Sequence, residues 1–265
     1  MKSLKERLLT TIILLSILLF LFWSGPFIIS IFLILLFGGL LYELKKNYLH
    51  ELSLRHIIII FIFPLLLLIF FILEKENINL QFFSFSNLKL FLSTSLLLSL
   101  IFFYSKKNIY YFIISFLLVC SFFSLIQILL SNNGLYIFFY VVILVTSMDI
   151  FAYLGGNLFG KIKIAPAISN GKTIEGTIFG LFFTILISCF LKNILLFDIW
   201  YACVFGFIIG ILAFLGDLLE SSFKRKIGIK DSGTLFPGHG GLLDRFDGYL
   251  LVFPFLMIYF NYIVS

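Results

Sequence analysis

About nine apolar runs, each close to the length of a bilayer-crossing helix, follow one another between Leu8 and Val264. They run approximately Leu8–Phe22, Phe27–Tyr42, Ile57–Leu73, Leu88–Tyr104, Ile109–Leu130, Leu135–Leu154, Thr177–Leu191, Ile199–Gly216 and Tyr249–Val264. A hydrocarbon core about 30 Å thick takes about 20 residues of helix. Inside it every backbone N–H and C=O must find a partner within the protein, which a helix provides by itself. The pattern therefore predicts an all-α polytopic membrane protein with about nine transmembrane helices. Composition agrees, since 62% of the 265 residues are hydrophobic, 12% are charged and the mean hydropathy is +1.16. A soluble domain carries about 25% charged residues. Lys2–Phe22 has the outline of a signal peptide, yet no small-residue cleavage site follows, so it is read as the first span, with Trp23-Ser24-Gly25-Pro26 as the turn after it.

Charge placement sets the orientation. With the N-terminus inside, all but Lys75, Lys89 and Lys192 of the 19 Lys and Arg fall in cytoplasmic segments. That bias predicts an N-terminus inside and a C-terminus outside. The net charge of +6 is then a product of topology and of anionic headgroups, and nucleic acid is not an expected partner. Cys120, Cys189 and Cys203 lie in apolar runs without C-x-x-C spacing, which supports neither a disulfide framework nor a zinc site.

Two regions follow from this layout: residues 1–130, about five spans forming a scaffold or dimerisation part, and residues 131–265, a catalytic part. The latter holds two polar, glycine-rich inside loops, 155–176 and 220–248. Ionisable groups near spans are costly to insert and mark interiors or cavities. Here Asp149, Asp217, Glu220, Asp244 and Asp247 gather at the cytoplasmic ends of the sixth, eighth and ninth spans, and Asp217 and Glu220 share a helix face. Carboxylates beside Lys224-Arg225-Lys226 supply what metal-assisted phosphoryl or nucleotidyl transfer requires, since carboxylates hold Mg²⁺ and cations neutralise phosphate. Mutual ion pairing at the headgroup level is the plainer reading of the same charges. Glycines 238, 240 and 241 around His239 tilt the balance, because bare backbone amides can approach an anion closely.

The segment Ser222-Phe223-Lys224-Arg225, then Lys230-Asp231, then Pro237-Gly238-His239-Gly240-Gly241, then Asp244-Arg245-Phe246-Asp247 resembles the C-terminal signature of phosphatidate cytidylyltransferases, the CDP-diacylglycerol synthases. Asp149, Ala152-Tyr153, Gly156, Gly160-Lys161, Ser169, Lys172-Thr173 and Glu175-Gly176 resemble a second element of that family. One departure stands out: Asn170-Gly171 replaces the proline that the family places after this serine, and is expected to form a turn of its own by tolerating positive φ.

The resemblance implies transfer of the cytidylyl group of CTP to phosphatidic acid, giving CDP-diacylglycerol and pyrophosphate for phospholipid biosynthesis. The lipid phosphate is already an anion, so the task is one of positioning and electrostatics rather than proton removal. By the same resemblance Asp217 and Asp244 hold a two-cation site with Mg²⁺ and a second cation, monovalent or divalent. Lys224, Arg225 and Arg245 would contact phosphate. Lys161, Lys172 and Thr173 would hold the triphosphate, with Ser169, Ser222, Gly238, Gly240 and Gly241 completing the substrate-binding motifs. Asp149 and Glu175 would bind base, ribose or a neighbouring side chain. His239 would stabilise departing pyrophosphate or merely brace its loop, and Asp231 and Asp247 would orient Lys230 and Arg245 or reach the cations. The expected setting is a bacterial-type inner membrane with the active site at the cytoplasmic face, phosphatidic acid entering from the inner leaflet, and a homodimer by family analogy. Two other readings compete. A CTP-dependent polyprenol or phytol kinase shares the need for acidic and basic groups, but the H-G-G-x-x-D-R-x-D run opposes it. An ion-coupled transporter predicts charges at the bilayer midplane, whereas these lie toward one side.

Overall fold

The computed structural model describes residues 2–48, 109–131, 133–233 and 240–262, and these are mostly helical. The expected third and fourth spans, together with His50, His56, Gly238 and His239, lie outside the described residues. In chain order the elements are α1 (Lys2–Tyr48), α2 (Ile109–Leu130), α3 (Gly134–Phe159), β1 (Lys163–Ala165), β2 (Ser169–Thr173), α4 (Ile174–Phe190), a 3₁₀ turn at Lys192–Ile194, α5 (Ile199–Ile227), the single turn α6 (Leu243–Phe246) and α7 (Tyr249–Tyr262). Among the described residues, Phe112–Leu129, Gly134–Phe159 and Ile199–Ile227 are long and apolar enough to cross a membrane. Ile31–Glu43, Ile174–Phe190 and Tyr249–Tyr259 are shorter apolar helices. The chain is a membrane protein.

Several expectations need correction. The break expected at Trp23-Ser24-Gly25-Pro26 between the first two spans is present, as a kink rather than an open turn. The two spans form one helical element that is interrupted at Gly25, whose φ of 81° and ψ of 170° lie outside the helical region. A residue without Cβ takes that conformation at little cost, and Pro26 cannot donate into the preceding turn, so the interruption falls there. The fold is also not purely α. β1 and β2 pair antiparallel, Lys163 opposite Thr173 and Ala165 opposite Ser169, with an irregularity between. The reversal is made at Pro166-Ala167-Ile168, closed by the Ile168 N–H on the Ala165 carbonyl at 3.0 Å. Asn170-Gly171 is therefore strand, not turn, and neither residue has positive φ. Proline earlier in the loop pre-sets the turn, and the Asn-Gly signal is overridden.

The chain forms two compact units, one of 1–132, 231–245 and 253–265, the other of 133–230 and 246–252. In the first, Phe37 of α1 stacks on Phe122 of α2 with centroids 4.1 Å apart. Buried Ser121 and Ser124 return their hydroxyls to carbonyls four residues back, the usual way a hydroxyl is satisfied in an apolar helix. In the second, α3, α4 and α5 meet through small residues. A Cβ on Gly176 would lie 2.6 Å from the Ala152 carbonyl and 2.8 Å from the Gly156 nitrogen, and one on Gly206 would lie 2.6 Å from Ser188 Cβ. Between membrane helices, where apolar burial gives little drive, such close backbone approach supplies the packing. The Tyr140 hydroxyl and Ser188 Oγ are 2.8 Å apart, and Ser188 Oγ donates to the Ala202 carbonyl at 2.6 Å. These bonds link the three helices through buried polar groups. Cys189 and Cys203 bring their thiols within 3.1 Å across the α4–α5 pair, as free cysteines.

Candidate active site

The second unit carries a continuous polar stripe. α5 does not stop at the apolar boundary near Gly216 but continues to Ile227, so the segment 220–227 expected as loop is helix. Three local causes extend it. Glu220 and Lys224 pair at i,i+4, with Lys224 Nζ 2.6 Å from Glu220 Oε2. Lys224, Arg225 and Lys226 in the last turn complement the helix dipole. Gly228 then ends the helix at φ 81°, its N–H and that of Ile229 returning to the Arg225 and Lys224 carbonyls. Helical spacing aligns Asp217, Glu220, Ser221 and Lys224 on one face.

The hairpin feeds this face. Lys172, near the end of β2, places Nζ 2.8 Å from Asp217 Oδ2 and 5.3 Å from the Phe214 ring centroid. Ser221 Oγ donates to Asp217 Oδ1 at 3.2 Å, so both carboxylate oxygens are oriented. A Cβ on Gly216 would sit 2.6 Å from the Asp247 carbonyl. Bare glycine here lets the Asp247-Gly248 backbone lie against α5, one residue from Asp217. The Asp247 carboxyl is pushed well above the usual carboxylate range, first by burial and then by the charges of Asp217, Glu220 and Asp149, while the Gly248 N–H on Oδ1 at 2.8 Å opposes the shift. Asp149, Asp217, Glu220 and Asp247 thus form one electrostatic group on α3, α5 and the segment before α7. Buried Glu220 is matched by Lys224, which is itself buried and not presented to solvent.

Residues 155–176, expected as a loop, are the end of α3, the hairpin and the start of α4. Thr173 caps α4, its Oγ1 accepting the Gly176 N–H at 3.2 Å. Glu175 in that first turn accepts the Lys161 N–H at 3.0 Å and the Ile162 N–H at 3.2 Å, and it holds the chain where it leaves α3. The Lys161 amide, with the other amide bonds, keeps the Glu175 carboxyl below its ordinary range. Ser222 returns its hydroxyl to the Leu219 carbonyl. Arg225 is exposed and donates from Nε to the Ile168 carbonyl and from Nη1 to the Ile229 carbonyl, both at 3.0 Å. The hairpin residues 166–171, including Ser169, enclose with Arg225 and Lys230 a pocket of about 500 Å³.

The first unit contains a second acidic centre. Buried Asp244 accepts the Ser232 N–H at 2.9 Å and the Gly241 N–H at 2.7 Å. Gly240 has φ 81°, and the Asp244 carboxylate occupies the space a Cβ would need there. Asp231 and Arg245 are exposed. The sequence reading missed Ser221, Ser232, Gly216 and Glu43, a buried carboxylate of α1 that is bonded to Ser232 and Leu242.

A sequence profile described as the Cytidylyltransferase family matches residues 5–263. The chain belongs to that family. Within 127-residue matches, this cytidylyltransferase-family chain is 43% identical to a phosphatidate cytidylyltransferase of Staphylococcus haemolyticus, 42% to one of Staphylococcus aureus strain COL and 41% to one of Staphylococcus saprophyticus. Each match covers 47% of this chain and 49% of the relative, so the chain spans about half the length of the curated relatives it matches.

Carboxylate oxygens are the hard donors that a divalent cation takes. Several carboxylates lie close enough to raise the proton affinity of Asp247, and a bound cation would relieve that repulsion. Among the described residues no three carboxylates, histidines or cysteines converge into a closed metal cage. Mg²⁺ characteristically uses one or two carboxylates and completes its shell with water and substrate phosphate.

Proposed function

We propose that the chain transfers the cytidylyl group of CTP to phosphatidate, forming CDP-diacylglycerol and pyrophosphate. The observation that carries this reading is the Lys172–Asp217 pair, set in a group of carboxylates on the second unit of a cytidylyltransferase-family chain. The names of the staphylococcal relatives supply the lipid acceptor.

A phosphate oxygen of the lipid forms a bond to the α-phosphorus of CTP while the α–β bridging bond breaks, and its electron pair leaves with pyrophosphate. No proton need be removed from the nucleophile. Lys172 lies beside Asp217 and is the proposed neutralising charge for the triphosphate, while Ser221 keeps Asp217 in one orientation. Arg225 and Lys230, at the hairpin pocket, are the proposed contacts for phosphate entering there. Lys161, Ser169, Thr173, Asp149, Ser222, Gly240, Gly241, Asp231, Arg245 and Asp247 are carried as motif positions of the same reaction. Thr173 and Glu175 act in it by shaping the entry to α4. Asp217 and Asp244 are the proposed ligands of a two-cation site containing Mg²⁺, whose chemistry is to neutralise charge on the transferred phosphoryl and the leaving group. Nine spans, an inside N-terminus and a site on the cytoplasmic face of an inner membrane complete the proposal, on the strength of the Lys and Arg distribution.

CTP labelled at either the α or the γ phosphorus separates this reaction from its nearest rival. In detergent with Mg²⁺ and phosphatidate, α label is expected in the lipid fraction and γ label in pyrophosphate. Transfer of γ label to a prenol, with release of CDP, would replace this reading by a lipid kinase.

A further inference from the structure

We propose that Glu43 of α1 is a positioning residue that clamps Ser232 together with Leu242–Leu243 and so fixes the orientation of Asp244. The inference rests on the reading of Asp244 as a cation ligand, and it names a residue far outside the motif region. Glu43 is 7% exposed, near the end of an otherwise apolar run. A buried carboxylate there is costly unless hydrogen-bond donors surround it. Each donor comes from the distant segment. The Leu242 N–H donates to Oε2 at 2.7 Å, the Leu243 N–H reaches Oε1 at 3.5 Å, and Ser232 Oγ donates to Oε1.

Asp244 is held by the same short stretch. The Ser232 N–H and Gly241 N–H donate to its carboxylate, and the Asp244 N–H donates back to Ser232 Oγ at 3.3 Å. Ser232 is therefore shared, its hydroxyl on Glu43 and its amide on Asp244. The two carboxylates are linked through one serine and through consecutive amides, Gly241 to Asp244 and Leu242 to Glu43. Sterics point the same way. A Cβ on Gly233 would lie 3.0 Å from the Glu43 carboxyl carbon, and Gly241 has Glu43 and Ser232 where its Cβ would be. One turn before Glu43, Gly39 leaves room for Leu242, whose Cδ1 would be 2.9 Å from a Cβ there. The α1 surface at 39 and 43 thus receives both the backbone and the side chain of Leu242. Glu43 touches no reacting atom in this account, and its role is to stop Asp244 from rotating away.

The test compares wild type, Glu43→Gln, Glu43→Ala and Ser124→Ala, the last removing a buried hydroxyl of α2 that donates to Cys120 and contacts Met257 but not the segment. Amide hydrogen exchange is read on metal-free protein in detergent, and cytidylyl transfer is read against Mg²⁺ concentration. Loss of charge-assisted bonds predicts at least about tenfold faster exchange at Leu242 in Glu43→Ala, with α2 unchanged. The Mg²⁺ concentration for half-maximal rate should rise about tenfold, and kcat at saturating Mg²⁺ should fall less, because an acceptor that wobbles loses cation affinity first. Glu43→Gln, which keeps an acceptor oxygen, should fall between, and Ser124→Ala should match wild type in both readouts. Unchanged Leu242 exchange in Glu43→Ala overturns the clamp, as does acceleration spread equally over α2. A wild type without cytidylyl transfer removes the functional reading, while the exchange result still decides whether the clamp exists.

Discussion

Replacing Lys172 by methionine separates the cost of a carboxylate group from its use. The Lys172 and Asp217 side chains are 15% and 28% exposed and 2.8 Å apart, so the pair is mostly shielded from water. Removing one partner of a fully buried pair costs about 3–5 kcal/mol, chiefly because the other charge is left uncompensated. Residual exposure reduces that to about 2 kcal/mol here. Asp217 would then face the Asp247 carboxyl with the Lys172 counter-charge gone. For a chain of this size the expected fall in melting temperature is about 4 °C in Mg²⁺-free detergent. Asp217→Asn added to Lys172→Met should recover most of that loss, because it removes the stranded charge. Added Mg²⁺ should stabilise Lys172→Met more than the double variant. The assay is thermal unfolding followed by intrinsic fluorescence, with scan rate held fixed because membrane proteins unfold irreversibly. Additive losses in the double variant, or a Lys172→Met protein as stable as wild type, would refute the argument.

Further outcomes follow from packing and chemistry. Gly216→Ala places a methyl against the Asp247 backbone and should cost about 1–3 kcal/mol as overpacking, together with a loss of transfer activity that Gly210→Ala, which meets a flexible Leu181 side chain, does not match. Mild oxidation should join Cys189 to Cys203, leaving Cys120 as the one titratable thiol after denaturation, and failure to cross-link would contradict the α4–α5 pairing. The Glu175 carboxyl is depressed by the Lys161 amide, so its contribution is present above its unfolded value near 4.5 and is lost as pH falls through the lower folded value. Wild type should therefore be more stable than Glu175→Gln at neutral pH, with the gap closing in melting curves as the pH falls below 4.5.

Much of the frame was legible from apolar run length alone. The fifth expected span coincides with α2, Ile109–Leu130, and the eighth begins with α5 at Ile199. The shared face of Asp217 and Glu220 followed from helical spacing, and the structure adds Ser221 and Lys224 to it. What escaped did so for identifiable reasons. Hydropathy ends near Gly216, but a helix needs no apolar face once an ion pair, a favourable dipole and a glycine cap sustain it, so residues 220–227 looked like loop. The hairpin at 163–173 is too short and too polar to show strand alternation, and proline outcompeted the Asn-Gly turn signal. Glu43 carried no local motif. Its partners lie about two hundred residues onward, and an isolated carboxylate beside Lys45 and Lys46 reads as an ordinary span terminus.

The most direct test of the account reconstitutes the protein in vesicles containing phosphatidate, supplies CTP and Mg²⁺, and measures CDP-lipid and pyrophosphate beside Asp217→Asn and Asp244→Asn. Equal amounts of the two products from wild type, with loss of both in each variant, is the predicted result. Variants that keep near-normal rates, or a wild type that forms no CDP-lipid, would contradict it.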